Sequence, residues 1–271
     1  MAETVTPFAA KAAEPCLRLA TRVARRLLYR CTYRMRGGLA RGYRRQFGYG
    51  SLPRLQLTAE ERFLDALDLS GKTVYDVGAY VGVYALFFAG KCGAPERVVC
   101  FEPNPETFAQ LCANLDLNGL HALPRFQVAA GAVEGMLDLE VDPAFPARST
   151  LDPRRAVMRT RAPGGRRHQV RVVRLDDLVA EAALPLPDFV KLDVEGFESE
   201  ALRGMQALLD DPAPTLFVEL HGRRQAGDVV DVLSRHGYRV FHVESASWLA
   251  PGQRPVLELG HLYCQRGDAV G

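Results

Sequence analysis

The sequence predicts an α/β fold built on a doubly wound, mostly parallel sheet, and three observations carry that reading. Apolar strand-like runs alternate with helical segments from residue 73 onward, the pattern of parallel sheets. Thr73 to Gly82 reads as a β-branched strand running into a glycine turn, with a densely apolar helix after it. About 20 residues past that turn, a second strand ends on Glu102-Pro103, an acidic side chain at the strand tip.

Length and composition bound what such a fold can be. At 271 residues the chain is long enough for one α/β domain plus an extension, taken as residues 1–54 and 55–271. The net charge of +2 gives no general signal for a polyanion, so no nucleic-acid partner is expected. Six cysteines lie scattered at 16, 31, 92, 100, 112 and 264 without a C-x-x-C pair, which predicts buried free thiols rather than a disulfide framework or a metal centre. No apolar run approaches the ~20 residues needed to span a bilayer. The start lacks the apolar core of a signal peptide, so a cytoplasmic setting is expected.

Charge is concentrated near the beginning. From Cys16 to Arg54 there are eleven arginines and no acidic residue. Residues 16–36 also carry helical periodicity, with Cys16, Leu19, Ala20, Val23, Leu27 and Cys31 on one face and Arg18, Arg22, Arg25 and Arg26 largely opposite. A basic amphipathic helix reads as a peripheral contact with an anionic membrane, an anion-binding arm or a transit peptide. The plainer reading is a helix packed on the main domain with its arginines in water. Gly37-Gly38, Gly42 and Gly48-Tyr-Gly50 then predict a flexible linker, with the folded domain starting near Leu55.

Thr58-Ala-Glu-Glu61 has capping-box spacing and predicts a helix leading into the first strand. Strands follow near 73–77, 97–101, 125–129, 188–193, 215–220, 238–243 and 257–264, with helices near 82–91, 105–117, 198–209 and 224–236. Leu137 to Val141 and Val170 to Val173 suggest an extra antiparallel pair. Between them, Pro143 to Gln169 is rich in arginine, proline and glycine, and reads as a functional loop or a solvated insertion.

The chemistry is expected at the carboxyl ends of the parallel strands. In the turn, Gly78 and Gly82 let a ligand approach the backbone, and Glu102 is placed to accept from a ribose diol, with Pro103 fixing the chain's exit. The dinucleotide fingerprint is absent, because Tyr80 stands at its second glycine. Asp76 puts negative charge beside the turn, which suits a cation better than a pyrophosphate. S-adenosylmethionine, with a sulfonium and an ammonium and no phosphate, fits that pattern. Without a ligand, the same residues make only a helix start.

Asp193 closes the 188–193 strand and shares a face with Lys191 by the period of two. It is a candidate to hold an acceptor hydroxyl, take its proton or bind the cofactor's ammonium. Glu195 either faces the substrate or caps the next helix, and the two acids could also be only a strand exit and a cap. His221 ends the 215–220 strand beside Gly222, unlike His121, His168, His236, His242 and His261, and is the candidate general base. Glu219 lies on the same face and could orient it.

At this point the chain resembles a known family. Asp76-Val-Gly-Ala-Tyr-Val-Gly82 is similar to the first motif of class I S-adenosylmethionine-dependent methyltransferases of the FkbM type. Val99-Cys-Phe-Glu-Pro-Asn-Pro105 with Asn114 and Asn118, Leu175-Asp-Asp-Leu178, and Asp188 to Glu198 resemble three further blocks, in order. The resemblance covers roughly residues 60–245, and the family usually has Asn where this chain has Tyr80. It implies a Rossmann-like, seven-stranded, mostly parallel sheet with helices on both faces. It also implies O-methylation of a hydroxyl on a sugar, glycan, polyketide or lipid-like acceptor. The alternatives are a non-catalytic S-adenosylmethionine-binding scaffold docked through its arginine arm, and a nicotinamide oxidoreductase, which Tyr80 and Asp76 disfavour. No metal is expected.

Overall fold

The computed structural model describes residues 31–46, 56–141, 149–152, 166–250, 253 and 259–267. Its centre is a sheet whose parallel part was legible as alternating buried runs: β3 (Val74–Val77), β4 (Val98–Phe101), β5 (Arg125–Phe126), β9 (Phe189–Leu192) and β10 (Thr215–His221). With β11 (Tyr238–His242), β12 (Ser247–Trp248) and β13 (Leu259–Arg266) the spatial order is β12-β11-β13-β10-β9-β3-β4-β5. The sheet therefore has eight strands where seven were expected. The addition is the two-residue edge strand β12, too short to show a period, which pairs with β11. β13 inserts antiparallel between β10 and β11.

Alternation along the strands divides the core between two faces. Tyr75, Val77, Val99, Phe101, Val190 and Leu192 point to one side. There they meet α4 (Leu175–Glu181), α5 (Glu198–Arg203), α6 (Gln206–Asp210) and α7 (Arg223–Arg235). Val74, Val98, Cys100, Phe189 and Phe217 point to the other. They pack against α1 (Ala59–Ala66), α2 (Val83–Cys92) and α3 (Pro105–Leu117). Burial of such side chains on both faces, at roughly 25 cal/mol per Å² of apolar surface, is what the near-continuous apolar strands encode. The expected capping box is present: Thr58 Oγ1 accepts from the Glu61 amide, and the Glu61 carboxylate accepts from the Thr58 amide.

Two helix boundaries differ from the sequence reading for a packing reason. The segment expected as one helix over 198–209 breaks at Gly204, where an added Cβ would lie 2.0 Å from the Gly131 carbonyl oxygen. The second piece, α6, gains a cap from elsewhere, because Asp176 accepts from the Ala207 and Leu208 amides at 3.1 Å. That is the structural task of the Leu-Asp-Asp element. A separate three-stranded sheet, β6-β8-β7, contains β6 (Ala129–Ala130), β7 (Gly135–Val141) and β8 (Arg166–Val173). The antiparallel pair was expected, but β8 starts at Arg166, inside the stretch read as loop. Of that stretch, Ser149 to Asp152 is described, and Thr150 bridges Glu140.

The linker expected before residue 55 is corrected in its described part. β1 (Thr32–Arg34) and β2 (Arg44–Gln46) form a hairpin, and Gly38 and Gly42 supply its positive φ angles of 74° and 92°. The end of the expected 16–36 helix is thus strand, and residues 16–30 lie outside the described residues. One face of α3 holds the hairpin. Asn118 Oδ1 accepts from the Arg44 amide and Asn114 Oδ1 from the Gln46 amide, each at 2.8 Å. Gln110 donates to the Gln46 carbonyl at 3.1 Å, so side chains four residues apart serve as a surrogate strand edge. Met35 and Ala40 are buried in the core beneath. Residues 32–46 are packed structure.

Candidate active site

The two glycine-flanked strand ends meet across a cleft of about 260 Å³. Its lining includes Gly78, Tyr80, Glu102 and Pro103 on one side, and Asp193, Glu195 and Glu219 on the other. Val128, Leu139, Leu151 and Phe197 add an apolar wall. Four carboxylates face this space, and no lysine or arginine is among the described residues lining it.

At the first side the backbone does most of the positioning. The Gly78 and Ala79 amides donate to the Phe101 carbonyl at 2.9 and 3.0 Å, which ties the turn to the end of β4. Gly78 has φ +86°, and a Cβ there would sit 1.8 Å from the Asp193 carbonyl oxygen. Glycine is therefore required by the neighbouring strand as well as by any ligand. Gly82, φ +85°, is the N-cap of α2, and a Cβ there would meet the flexible end of Leu111 at 2.6 Å. Tyr80 takes a left-handed φ of 52° without being glycine, and its amide donates to Glu102 Oε2 at 2.8 Å.

Glu102 is nearly fully buried and is the organising group of this half. Its Oε1 accepts from the Asn104 amide at 2.9 Å and from Thr107 Oγ1 at 2.8 Å. Burial nevertheless pushes its carboxyl up to about 7, against the opposing effect of those hydrogen bonds and the Tyr80 amide. Asp76 does not face the cleft. It is completely buried beneath the turn, 3.7 Å from Lys191 Nζ, and neither of its oxygens has a hydrogen-bond partner. Desolvation raises its carboxyl to about 6, with Lys191 opposing. Asp76 therefore compensates a buried lysine, and Gly82 likewise lies outside the lining, as part of the helix start.

The second side is electrostatic. Buried Lys191 holds Asp193 Oδ2 at 3.2 Å and lies 4.5 Å over the Tyr84 ring. The Asp193–Gly196 loop that follows β9 turns through left-handed backbone at Glu195, φ 53°, and Gly196, φ 100°. A non-glycine residue in that region stores strain of the kind found at functional sites. The turn aims Glu195 at the cleft, and α5 is entered without its side chain as a cap. His221 is buried behind the acids, outside the lining. Its Nδ1 lies 2.8 Å from Glu198 Oε1, and its Nε2 lies 3.7 Å from Asp193, 3.8 Å from Glu195 and 3.6 Å from Glu219.

That environment changes what His221 can do. Desolvation lowers its pKa, but the hydrogen bond to Glu198 and the charges of Glu198, Asp193 and Glu195 outweigh it and hold the ring up to about 9. At neutral pH the ring is then a cation, a donor rather than a base. Sequence reading missed Glu198 and Lys191 as site members. The spacing of three acids in Asp193-Val-Glu-Gly-Phe-Glu198 was a usable signal, since the last opens α5 just past the loop.

Comparisons with known proteins agree with the motifs. A family model described as the methyltransferase FkbM domain matches residues 76–240. Hexuronic acid methyltransferase AglP of Haloferax volcanii is 30% identical over 161 residues, 59% of this chain and 61% of that protein. The chain thus spans about three fifths of AglP's length. The 31-O-demethyl-FK506 methyltransferase FkbM of Streptomyces tacrolimicus is 28% identical over 193 residues, covering 63% of this chain and 74% of that protein. A solved FkbM methyltransferase structure from Methylobacillus flagellatus KT superposes with a TM-score of 0.49 at 20% identity, over 74% of this chain and 45% of that one. Since the family model covers more than half of its length, the chain belongs to the FkbM methyltransferase family.

Proposed function

We propose that this protein transfers a methyl group from S-adenosylmethionine to a hydroxyl of a sugar, glycan, polyketide or lipid-like acceptor. One observation carries the reading: a single cleft joins Glu102 at one end to Asp193, Glu195 and Glu219 at the other, with no cation along the described lining. A pyrophosphate would be repelled there, whereas a ligand bearing a sulfonium and an ammonium is matched in charge. The residues present therefore fit the cofactor.

Glu102 is the group that would hold the ribose hydroxyls, since its protein donors fix its orientation without exhausting its lone pairs. The apolar wall of Val128, Leu139 and Leu151 suits the adenine base, with Pro103 at its edge. When bound, S-adenosylmethionine supplies an electrophilic methyl carbon, so the chain's own tasks are orientation and deprotonation. Glu195 and Asp193 are the groups that would accept the hydroxyl proton at a carboxylate oxygen, since both line the cleft. Cationic His221, bridged to Glu198, holds these acids in position. Relatives named for a hexuronic acid and for 31-O-demethyl-FK506 support a hydroxyl on a polyfunctional molecule.

The test is to incubate the full chain with methyl-labelled cofactor and fractionated metabolite or glycan extracts. Label in an acceptor together with S-adenosylhomocysteine is expected. Cofactor binding by calorimetry with no S-adenosylhomocysteine from any fraction would replace this reading with the scaffold one. The arginine-rich segment 16–54 remains a proposed contact with anionic membrane. No helix among the described residues is long and apolar enough to cross a bilayer.

A further inference from the structure

The outer face of the β1–β2 hairpin concentrates positive charge. Strand alternation divides its side chains between two faces. Tyr33, Met35 and Arg45 turn inward, the last two buried, while Thr32, Arg34, Arg44 and Gln46 share the outer face. Arg36 and Arg41, in the connection between the strands, are exposed as well. Four exposed guanidiniums thus lie on residues 32–46, which contain no acidic residue. Among the described residues, none of these four arginines has an ion-pair partner.

The strand register works against folding at this face. It sets Arg34 directly opposite Arg44, and like charges in that position are destabilising. Arg34 Nη1 donates to the Gly42 carbonyl at 3.1 Å and Arg44 Nη2 to Thr32 Oγ1 at 3.4 Å. Each guanidinium has five N–H donors, so both keep donors for a phosphate. The backbone beneath them is fixed. Gln110, Asn114 and Asn118 hold β2, and Met35 and Ala40 anchor the turn in the core. A like-charge pair held on a fixed backbone suits a partner with many negative charges. The sequence leading into the hairpin favours one such partner. Residues 16–31 add five arginines and no acid, interleaved with Leu17, Leu19, Val23, Leu27 and Leu28. Apolar side chains among arginines find burial at a bilayer surface and none along a nucleic-acid backbone.

We propose that the outer face of the β1–β2 hairpin, through Arg34, Arg36, Arg41 and Arg44, docks the domain on the phosphate headgroups of an anionic lipid bilayer. The inference rests on the proposed membrane contact of segment 16–54 and assigns it to one folded face. Its consequence is orientation. Asn114, which accepts from the Gln46 amide, also donates to the Val81 carbonyl of the glycine turn at 2.7 Å. The docking face is therefore fixed relative to the cofactor end of the cleft. The domain meets the bilayer in one orientation instead of hanging from a tether.

Co-sedimentation of the full-length protein tests this, with vesicles of phosphatidylcholine alone and of equal parts phosphatidylcholine and phosphatidylglycerol. Binding to the anionic vesicles only, weakened by added salt, is expected. Each arginine should contribute about fivefold, so the double variant Arg34→Gln, Arg44→Gln should bind about 25-fold more weakly. Its urea midpoint should hold or rise, because a like-charge pair is removed. Arg171→Gln, the same change of net charge in an exposed pair with Glu134, should bind as wild type. Equal binding to neutral vesicles, or undiminished binding by the double variant, overturns the proposal. So does a urea midpoint that falls in step with binding, which would assign the arginines to the fold. Absence of binding to either vesicle overturns the segment 16–54 reading as well. Loss of binding on replacing Arg18, Arg22, Arg25 and Arg26 with Gln, while the double variant binds normally, overturns the hairpin and leaves the segment reading. Tighter binding to a short duplex DNA than to vesicles, lost in the double variant, reassigns the face to nucleic acid. These measurements use neither acceptor nor cofactor, so the methyltransferase reading stands or falls separately.

Discussion

The two ends of the cleft are held by different physics. At the Glu102 end, a turn and a strand tip position one carboxylate through three donors, all from residues 80 to 107. At the Asp193 end, side chains from β9, its exit loop, α5 and β10 gather four carboxylates around Lys191 and His221. The first is complete as a hydrogen-bonded structure and offers spare lone pairs. The second is an ionic cluster whose geometry depends on how several elements pack. A cofactor end can thus be built mainly from backbone, whereas a reactive end needs polar groups that fold at a cost.

Breaking the seam between the ends should have the largest effect. Gly78→Val places a Cβ 1.8 Å from the Asp193 carbonyl, backbone that cannot rotate away. A loss of several kcal/mol is expected, seen as collapse of the cooperative urea transition by circular dichroism. A variant with a normal transition would show that the two strand ends are not in contact.

Acid–base behaviour separates the ends next. A buried carboxyl raised to about 7, Glu102, favours folding only while it is protonated, so that contribution fades between about pH 4.5 and 7. Asp76, raised to about 6, behaves alike. His221, raised to about 9, contributes stability that is complete below its unfolded value of 6.5 and lost as pH rises through 9. Unfolding free energy of cofactor-free protein should therefore fall from pH 5 to 9, by up to roughly 3 kcal/mol per group. His221→Gln should flatten the limb above pH 6.5 and leave the lower limb. Equal flattening of both would show that the ends titrate as one unit.

Glu102→Ala removes charge-assisted hydrogen bonds worth ~1.5–3 kcal/mol, roughly ten- to a hundredfold in cofactor affinity. Calorimetry should show this loss in a variant whose circular dichroism is unchanged. Unchanged cofactor binding in the folded variant would take the ribose away from Glu102. The smallest effect is expected for Gly82→Ala, where left-handed backbone and a movable Leu111 methyl cost about 1 kcal/mol. Its urea midpoint should shift far less than that of Gly78→Val.

The legibility of the two ends differed as their construction does. Gly78, Tyr80, Glu102 and Pro103 were readable because each lies in a short contiguous motif, and all four line the cleft. Asp76 was read as facing a ligand because the motif shows its position but not its partner. That partner is Lys191, 115 residues on, brought opposite it by the β3–β9 register. Asn114 was noticed within a motif without a task. In the fold it links Gln46 of the hairpin to the Val81 carbonyl of the glycine turn, at 2.8 and 2.7 Å. Glycine content alone suggested a linker there, since a docked hairpin and a loose one have the same local sequence.

By itself the sequence determined the strand–helix alternation, the seven main strands of the sheet, the turn that follows β3 and the family, because period, glycine and strand-end acids are local properties. The tertiary structure decided which charges meet. It placed Lys191 between Asp76 and Asp193, and set His221 among four carboxylates with a raised pKa. The physical reason is that Coulomb and desolvation energies depend on separation and burial, which strand register and helix packing fix and no single segment contains.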